Sequence, residues 1–295
     1  MNPKIISYLY GGLGNQLFIY AASRRLALFN NAELVLDCLS GFASDKKYQR
    51  HFQLDHFNIN CRKATANERL EPFSKIRHLL KSKWNRRLPF SERKYLVQEG
   101  IDFDPRLLHY KVKSNIYLKG YWQSEKYFND SLSTICRELQ IIPPTDDKNI
   151  AMAEQIRNCR AVAVHVRFFD APNSNFNTLP LGDYYSRALA EIKRRFTDAH
   201  FFLFSDQPEI VSSFISFSDS KFTLVSHNKG EEFAYADLWL MTQCQHYIIA
   251  NSTFSWWGAW LGIHPDKIII TPGFEQRSEN GWGFTGFLPD SWIKY

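Results

Sequence analysis

The densest chemistry in the chain lies in Ala161-Val162-Ala163-Val164-His165-Val166-Arg167-Phe168-Phe169-Asp170. The alternation of a strand puts His165 and Arg167 on one face, at the strand's end. A guanidinium there can grip a diphosphate through two parallel charge-assisted hydrogen bonds. Shielded from water, it also stabilises charge building on a departing phosphate. A lone histidine on an apolar strand is commonly a satisfied core residue, but an arginine two positions on favours ligand binding. A second block, Asn251-Ser252-Thr253-Phe254-Ser255-Trp256-Trp257-Gly258, ends a strand and opens a helix among hydroxyls. One hydroxyl suffices for an N-cap. Three of them, Ser252, Thr253 and Ser255, fit an anion held at the free N–H groups of a helix start.

The third block is Gly11-Gly12-Leu13-Gly14-Asn15-Gln16, again between a strand and a helix. Gly12 and Gly14 let a ligand approach the backbone. Leu17 stands where a dinucleotide fingerprint has its third glycine, and no Walker lysine follows, so those patterns fit poorly. Asn15 and Gln16 bring amides suited to sugar hydroxyls; a plain tight turn is the alternative. Two acids complete the inventory. Asp206 and Asp237 can hydrogen-bond a ribose or a guanine edge, or can serve as a cap or an ion-pair partner. No HExxH, His/Cys cluster or GxSxG occurs, so metal and serine-nucleophile chemistry are poorly supported.

The elements that must hold these residues alternate. Strands are predicted over 4–10, 33–37 and 115–119, with helices over the run to residue 28 and over 123–139. A linker follows at 141–147. Beyond it come strands over 161–166, 200–204, 222–225, 246–250 and 267–270, separated by helices over 182–196, 231–244 and 254–261 and a short one after Pro208. Such alternation implies parallel sheets covered on both faces, with ligands at the carboxyl ends of the strands.

Composition is that of a globular protein, 44% hydrophobic and 16% aromatic over 295 residues. Five scattered cysteines with no CxxC pair read as reduced thiols of a cytoplasmic protein. No signal-peptide pattern or bilayer-spanning run is seen. The net charge of +6 is concentrated in 62–94, where eleven Lys/Arg face three Glu, so the rest of the chain is slightly acidic. Within that segment Phe73, Ile76, Leu80 and Trp84 share one helical face. The helix either rests on an anionic membrane with Trp84 at headgroup level, or packs its apolar stripe on the protein. No nucleic-acid-binding motif is present.

Together the blocks resemble the bacterial α-1,2-fucosyltransferases, inverting GDP-fucose-dependent enzymes of the glycosyltransferase family 11 type. The resemblance rests on Gly11 to Phe18, His165-Val166-Arg167 with Asp170, Phe204-Ser205-Asp206, and Asn251 to Gly258. Gly120-Tyr121-Trp122-Gln123-Ser124 with Tyr127-Phe128 matches the family's mid-chain pattern. It implies an α/β, GT-B-like fold of two facing Rossmann-like lobes with mostly parallel sheets. The acceptor-side lobe would span 1–145, the GDP-fucose-binding lobe 146–273, and a tail over 274–295 would pack across them.

By the same resemblance Arg167 and Asn15 are the catalytic residues. Arg167 would bind the pyrophosphate, and Asn15 would lie near the fucose and the acceptor. His165, Asp206, Asp237, Ser252, Thr253, Phe254, Ser255, Gly12, Gly14 and Gln16 would hold the donor, with Asp237 near the guanine. The reaction implied is transfer of L-fucose to O2 of a galactose in a surface glycan, without a metal or other cofactor. Its partners would be a galactose-terminated or lipid-linked glycan and, through 62–94, the inner membrane face. Phe168 departs from the pattern, since the family usually carries a second arginine there; donor binding is expected to survive through Arg167. An NAD-type oxidoreductase using Asp37 as a ribose-binding acid, and a non-catalytic glycan-binding protein, are the rival readings.

Overall fold

Val162, Val164 and Val166 alternate with Ala161, Ala163 and His165, yet all six side chains are buried. A strand covered on both faces belongs in the middle of a parallel sheet. The computed structural model, which describes residues 2–43, 45–168, 181–215, 220–273 and 285–295, contains two such sheets. The chain divides into two compact units, Met1–Gln140 with Glu275–Pro289, and Ile141–Phe274 with Asp290–Tyr295.

The first unit carries β1 (Lys4–Tyr8), α1 (Leu13–Phe29), β2 (Glu33–Asp37), β3 (Arg62–Lys63), α2 (Ser74–Asn85), β4 (Tyr95–Val97), β5 (Ile116–Lys119) and α3 (Leu132–Glu138). Its sheet runs β3-β2-β1-β5-β4, parallel throughout. Leu17 through Ala22 are all buried, so α1 is apolar nearly all round, as a helix enclosed by its own lobe must be. The hydroxyls of Ser7 and Ser23, 2.8 Å apart, join β1 to α1 inside that core.

The second unit carries α4 (Asp147–Arg157), β6 (Arg160–Val166), α5 (Leu181–Arg195), β7 (Ala199–Ser205), α6 (Pro208–Phe214), β8 (Lys221–Val225), α7 (Ala234–Thr242), β9 (His246–Ile248), α8 (Thr253–Trp260), β10 (Ile269–Thr271) and β11 (Ile293–Lys294). Its sheet order is β11-β10-β9-β6-β7-β8, also parallel. Val162, Val164, Leu203, Tyr184, Tyr185 and Ile192 are among its core residues.

The strand sequences of the two sheets differ. In the first, strands step from β1 to β2 and β3 on one side, cross to β4 at the opposite edge and return to β5 beside β1. In the second they step from β6 to β7 and β8, then resume with β9 beside β6 and continue outward to β10. Crossovers leaving such a pair in opposite directions open a crevice at the carboxyl ends, where doubly wound sheets bind ligands. In the second unit that crevice lies at the ends of β6 and β9; in the first, the carboxyl ends of β1 and β5 lie side by side.

Two helices differ from expectation. The run 123–139 becomes short turns followed by α3 alone. Ser124 is engaged there as a cap to Lys126 N–H and as a donor to Gly286, while Trp122, Tyr127 and Phe128 turn into the core. The run 231–244 starts as a single tight turn, Glu231–Phe233, before α7. Strands β3, β4 and β11 have two or three residues each, too few to show a period.

Candidate active site

The crevice of the second unit gathers six of the candidate residues: His165, Arg167, Asp206, Ser252, Thr253 and Phe254. His165 is the last residue but one of β6, and Tyr185 of α5 donates its hydroxyl to the His165 carbonyl at 2.8 Å. This fixes the strand end just before Arg167. Burial, and then the neighbouring Arg167 charge, push the His165 imidazole down to about 3, so the ring is neutral at physiological pH. Its Nδ1 is buried without a hydrogen-bond partner among the described residues, and the ring faces Phe254 at 5.3 Å. Arg167 emerges into partial exposure, its Nη1 lying 3.3 Å from Asp206 Oδ2.

Asp206, at the end of β7, holds this segment with its other oxygen as well. Oδ1 accepts the Phe168 N–H at 3.0 Å. Its contacts thus aim Arg167 and close the backbone behind it. Phe168 itself is 2% exposed and packs with Val166, Tyr184 and Tyr185. The side chain at the place of the family's second arginine is therefore a core residue, not part of the rim. Asp170 lies outside the described residues.

Across the crevice, Ser252 caps α8, its Oγ accepting the Phe254 N–H at 3.3 Å. Ser252, Thr253 and Phe254 are half-buried at that helix start. Ser255 behaves differently. It is fully buried, and its hydroxyl lies 3.3 Å from the Ala250 carbonyl and 3.2 Å from that of Ser252, bracing the turn from within. The expectation that all three hydroxyls face a ligand is corrected to two, because one is needed to close the strand-to-helix turn. Lys267 braces the far end, donating to the carbonyls of Ala259, Trp260 and Gly262.

Asp237 sits in the first turn of α7. Burial pushes its carboxyl up to about 7, opposed by a hydrogen bond from Asn228 Nδ2 at 2.8 Å. Asn228 in turn exchanges hydrogen bonds with Asn149, which Asp146 anchors at the start of α4. This amide chain was not foreseen, since its members are 79 positions apart in sequence.

In the first unit the glycine loop closes on itself. Gly12 leads α1, accepting the N–H groups of Asn15 and Gln16. Gly11 is at φ +78, and a Cβ there would lie 2.9 Å from the Asn15 amide. Gln16 is fully buried: its Nε2 donates to the carbonyls of Gly11 and His51, and its Oε1 accepts the Gln53 N–H. Its expected contact with a sugar is replaced by a role in pinning the loop, because its donors and acceptor are engaged inside the lobe. Gly14 is buried in α1 as well. Asn15 is half-buried, as are Gly11 and Gly12, and its Oδ1 accepts Gln123 Nε2 at 2.7 Å.

Asp37 removes the support for a dinucleotide reading. It is fully buried, and its Oδ1 accepts the N–H groups of Leu39 and Ser40. It caps its own loop instead of waiting for a ribose. Among the described residues no three His, Cys, Asp or Glu side chains gather as metal ligands would, and no helix is long and apolar enough to cross a membrane.

Two parallel-sheet lobes with an arginine at the switch point of the second define a glycosyltransferase of GT-B-like fold. The structural comparisons agree on that fold. The α-1,6-fucosyltransferase NodZ, crystallised with GDP, superposes with a TM-score of 0.51 at 13% identity, over 92% of this chain and 95% of that one; NodZ comes from Bradyrhizobium. Arabidopsis thaliana FUT1 in complex with GDP gives 0.55 at 14% identity, over 100% of this chain and 77% of that one. The chain belongs to Glycosyl transferase family 11, whose profile matches residues 7–280. Among its relatives are an α-1,2-colitosyltransferase of Escherichia coli, 30% identical over 98% of both chains. Another is the O-antigen biosynthesis glycosyltransferase WbnK of Escherichia coli, 28% identical over 97% of this chain and 99% of that one.

Proposed function

We propose that this glycosyltransferase moves L-fucose from GDP-fucose, with inversion, to O2 of a terminal galactose. The observation that carries the reading is Arg167, held by Asp206 at the crevice between β6 and β9 and opposite the start of α8. The guanidinium and the helix N-terminus both favour a pyrophosphate. His165 and Phe254 line the donor beside it, and Ser252 and Thr253 offer hydroxyls to the phosphates. Asp237 takes the guanine edge, and Asn15 takes the fucose and acceptor.

In this scheme the acceptor oxygen attacks the anomeric carbon while the bond to the diphosphate oxygen breaks with its electron pair. The hydroxyl proton leaves to the departing diphosphate or to water. Positive charge at the leaving group comes from Arg167 and α8, so the proposal calls for no metal. A second donor is favoured by the colitosyltransferase relative. Colitose is fucose without its 3-hydroxyl, so the same leaving group, attack and linkage serve it.

The test is direct. Purified protein is given GDP-fucose or GDP-colitose with a panel of β-galactosyl disaccharides, and product linkage is determined. An α-1,2 product from GDP-fucose supports the main reading, and one from GDP-colitose alone transfers it to the second donor. Failure of GDP to raise the thermal unfolding midpoint, with no product, overturns both.

The glycan we propose is lipid-linked, as in O-antigen assembly, and α2 supplies the membrane contact. Successive helical residues turn by about 100°, so Ile76 and Leu80 point about 160° away from His78. His78 is buried at 5% exposure, whereas Phe73, Ile76, Leu80 and Trp84 are 75%, 57%, 61% and 66% exposed. The helix thus rests on the lobe by its polar side and presents its apolar stripe outward, with Lys75, Lys81, Lys83, Arg86 and Arg87 exposed around it. That combination fits an anionic lipid surface. Sedimentation with phosphatidylglycerol vesicles, lost in Ile76→Ser/Leu80→Ser/Trp84→Ser, supports it; a wild type that ignores those vesicles overturns it.

A further inference from the structure

In the first unit the family motif at 120–124 follows β5, the strand beside β1, and none of the roles above involves it. β1 and β5 are neighbours in the sheet, and the chain leaves them through Tyr10 and Tyr121. The two rings stack with centroids 4.4 Å apart and planes 30° apart. Both are half-buried, so part of each ring reaches the surface. Burial raises both phenols above their usual range, so they remain neutral hydroxyls.

The local chain is built to hold this arrangement. Trp122 is fully buried with φ +53, a left-handed conformation that a bulky residue rarely adopts. The side chain of Gln98 secures it, its Oε1 accepting the N–H groups of both Tyr121 (2.8 Å) and Trp122 (3.0 Å). Gly120 must lack a side chain, since a Cβ there would lie 2.4 Å from Gln98 Cβ. Gly11 admits Tyr121 from the other side, where a Cβ would lie 3.3 Å from the ring. Beside the rings, Gln123 Nε2 donates to Asn15 Oδ1. Among the described residues this leaves Asn15 Nδ2 as a donor and Gln123 Oε1 as an acceptor.

From this geometry we infer that Tyr10, Tyr121, Asn15 and Gln123 form the binding subsite for the neutral hexopyranose ring of the acceptor. A pyranose has an apolar face of C–H groups that packs on an aromatic ring, and a rim of hydroxyls that each donate and accept. Two aromatics and a pre-paired set of amides match both. None of these four side chains carries a charge, whereas the crevice of the second unit carries Arg167 and Asp206; Lys119, the last residue of β5, sets its ammonium over the Tyr8 ring beside Tyr10. The inference deepens the function proposed above by naming where its acceptor sits, and it rests on that reading for the identity of the sugar.

The test uses the full chain and the probe methyl β-D-galactopyranoside. Saturation-transfer NMR detects contact with its ring protons, and kinetics with the best disaccharide of the panel give the acceptor KM. Tyr121→Ala is expected to abolish the saturation transfer and to raise the acceptor KM about tenfold or more. The Kd for GDP stays within about twofold, because Tyr121 belongs to the first unit, whereas Arg167, His165 and Phe254 belong to the second. Tyr121→Phe keeps the ring and retains wild-type KM within about threefold, and Gln123→Ala falls between the two.

A folded Tyr121→Ala protein with an unchanged acceptor KM overturns the inference. So does one whose GDP affinity falls in step with its acceptor affinity. If the wild type fails to bind GDP yet still contacts the galactoside through Tyr121, the subsite stands and the donor assignment falls, so the two failures are distinguishable.

Discussion

The two lobes are both built on parallel sheets, yet their strand ends carry different side chains. Each gathers polar residues at the carboxyl ends of two neighbouring strands, β1 and β5 in the first and β6 and β9 in the second. In the second unit the strand end carries a guanidinium, braced by a carboxylate and facing a helix start. In the first it carries stacked phenols and paired amides. An ion pair marks one pair of strand ends, and aromatic rings with amides mark the other. A fold that places a crevice reliably leaves the side chains at the strand ends free to decide what enters it.

Changes on the charged side should give the largest effects. Arg167→Ala is expected to cut turnover about 10²–10³-fold, or about 3–4 kcal/mol of transition-state stabilisation, in a protein that still unfolds cooperatively. Near-normal turnover would show that the two pairs of strand ends do not differ as described. Phe168→Arg tests the same region from the other direction. Restoring the family's usual second arginine should fail to tighten GDP and should destabilise the protein by about 3 kcal/mol or more, because the position is closed. Chemical denaturation together with GDP titration would read both quantities.

On the neutral side, Gln16→Ala strips three hydrogen bonds from inside the lobe and should cost about 2–3 kcal/mol of stability. Denaturation midpoints would measure it. GDP affinity should stay unchanged, since the loss is confined to the first unit; weaker GDP binding would break the separation of roles.

The smallest effect is one of pH. The Asp237 carboxyl titrates near 7 in the folded protein, above its ordinary value of 3.8. Raising the pH from about 4 to 7 therefore removes stability through this group, as the folded state is made to hold a buried charge. Guanine N–H donors favour the ionised form, so the Asp237 contribution to GDP affinity should rise modestly as the pH approaches 7 and then level. Calorimetric titration at several pH values checks this, with Asp237→Asn removing the part of the slope that does not belong to the phosphates. A slope identical in variant and wild type would take Asp237 out of the guanine contact.

Much of the second unit could be read from its residues. His165 and Arg167 share a face because a strand has a period of two, and the hydroxyls before Trp256 announce a helix start. Both inferences are local, and both survive in the structure. Ser255 and Gln16 were misjudged for one reason. A polar side chain near a ligand loop and one bracing that loop from inside look alike in sequence, and only burial separates them. Helix α2 shows the same limit on a larger scale, since an apolar stripe does not state which of its two faces the lobe will cover.

The alternation of strands and helices, the parallel sheets and the arginine at a strand end follow from local periodicity and residue type alone. The pairing of Tyr10 with Tyr121, and of Asn228 with Asn149, does not. Those contacts join segments far apart in the chain; the first exists because sheet order makes β1 and β5 neighbours, and the second because α4 packs beside the chain that follows β8. Periodicity is a property of a few successive residues. Strand order is settled by how whole layers bury their apolar faces.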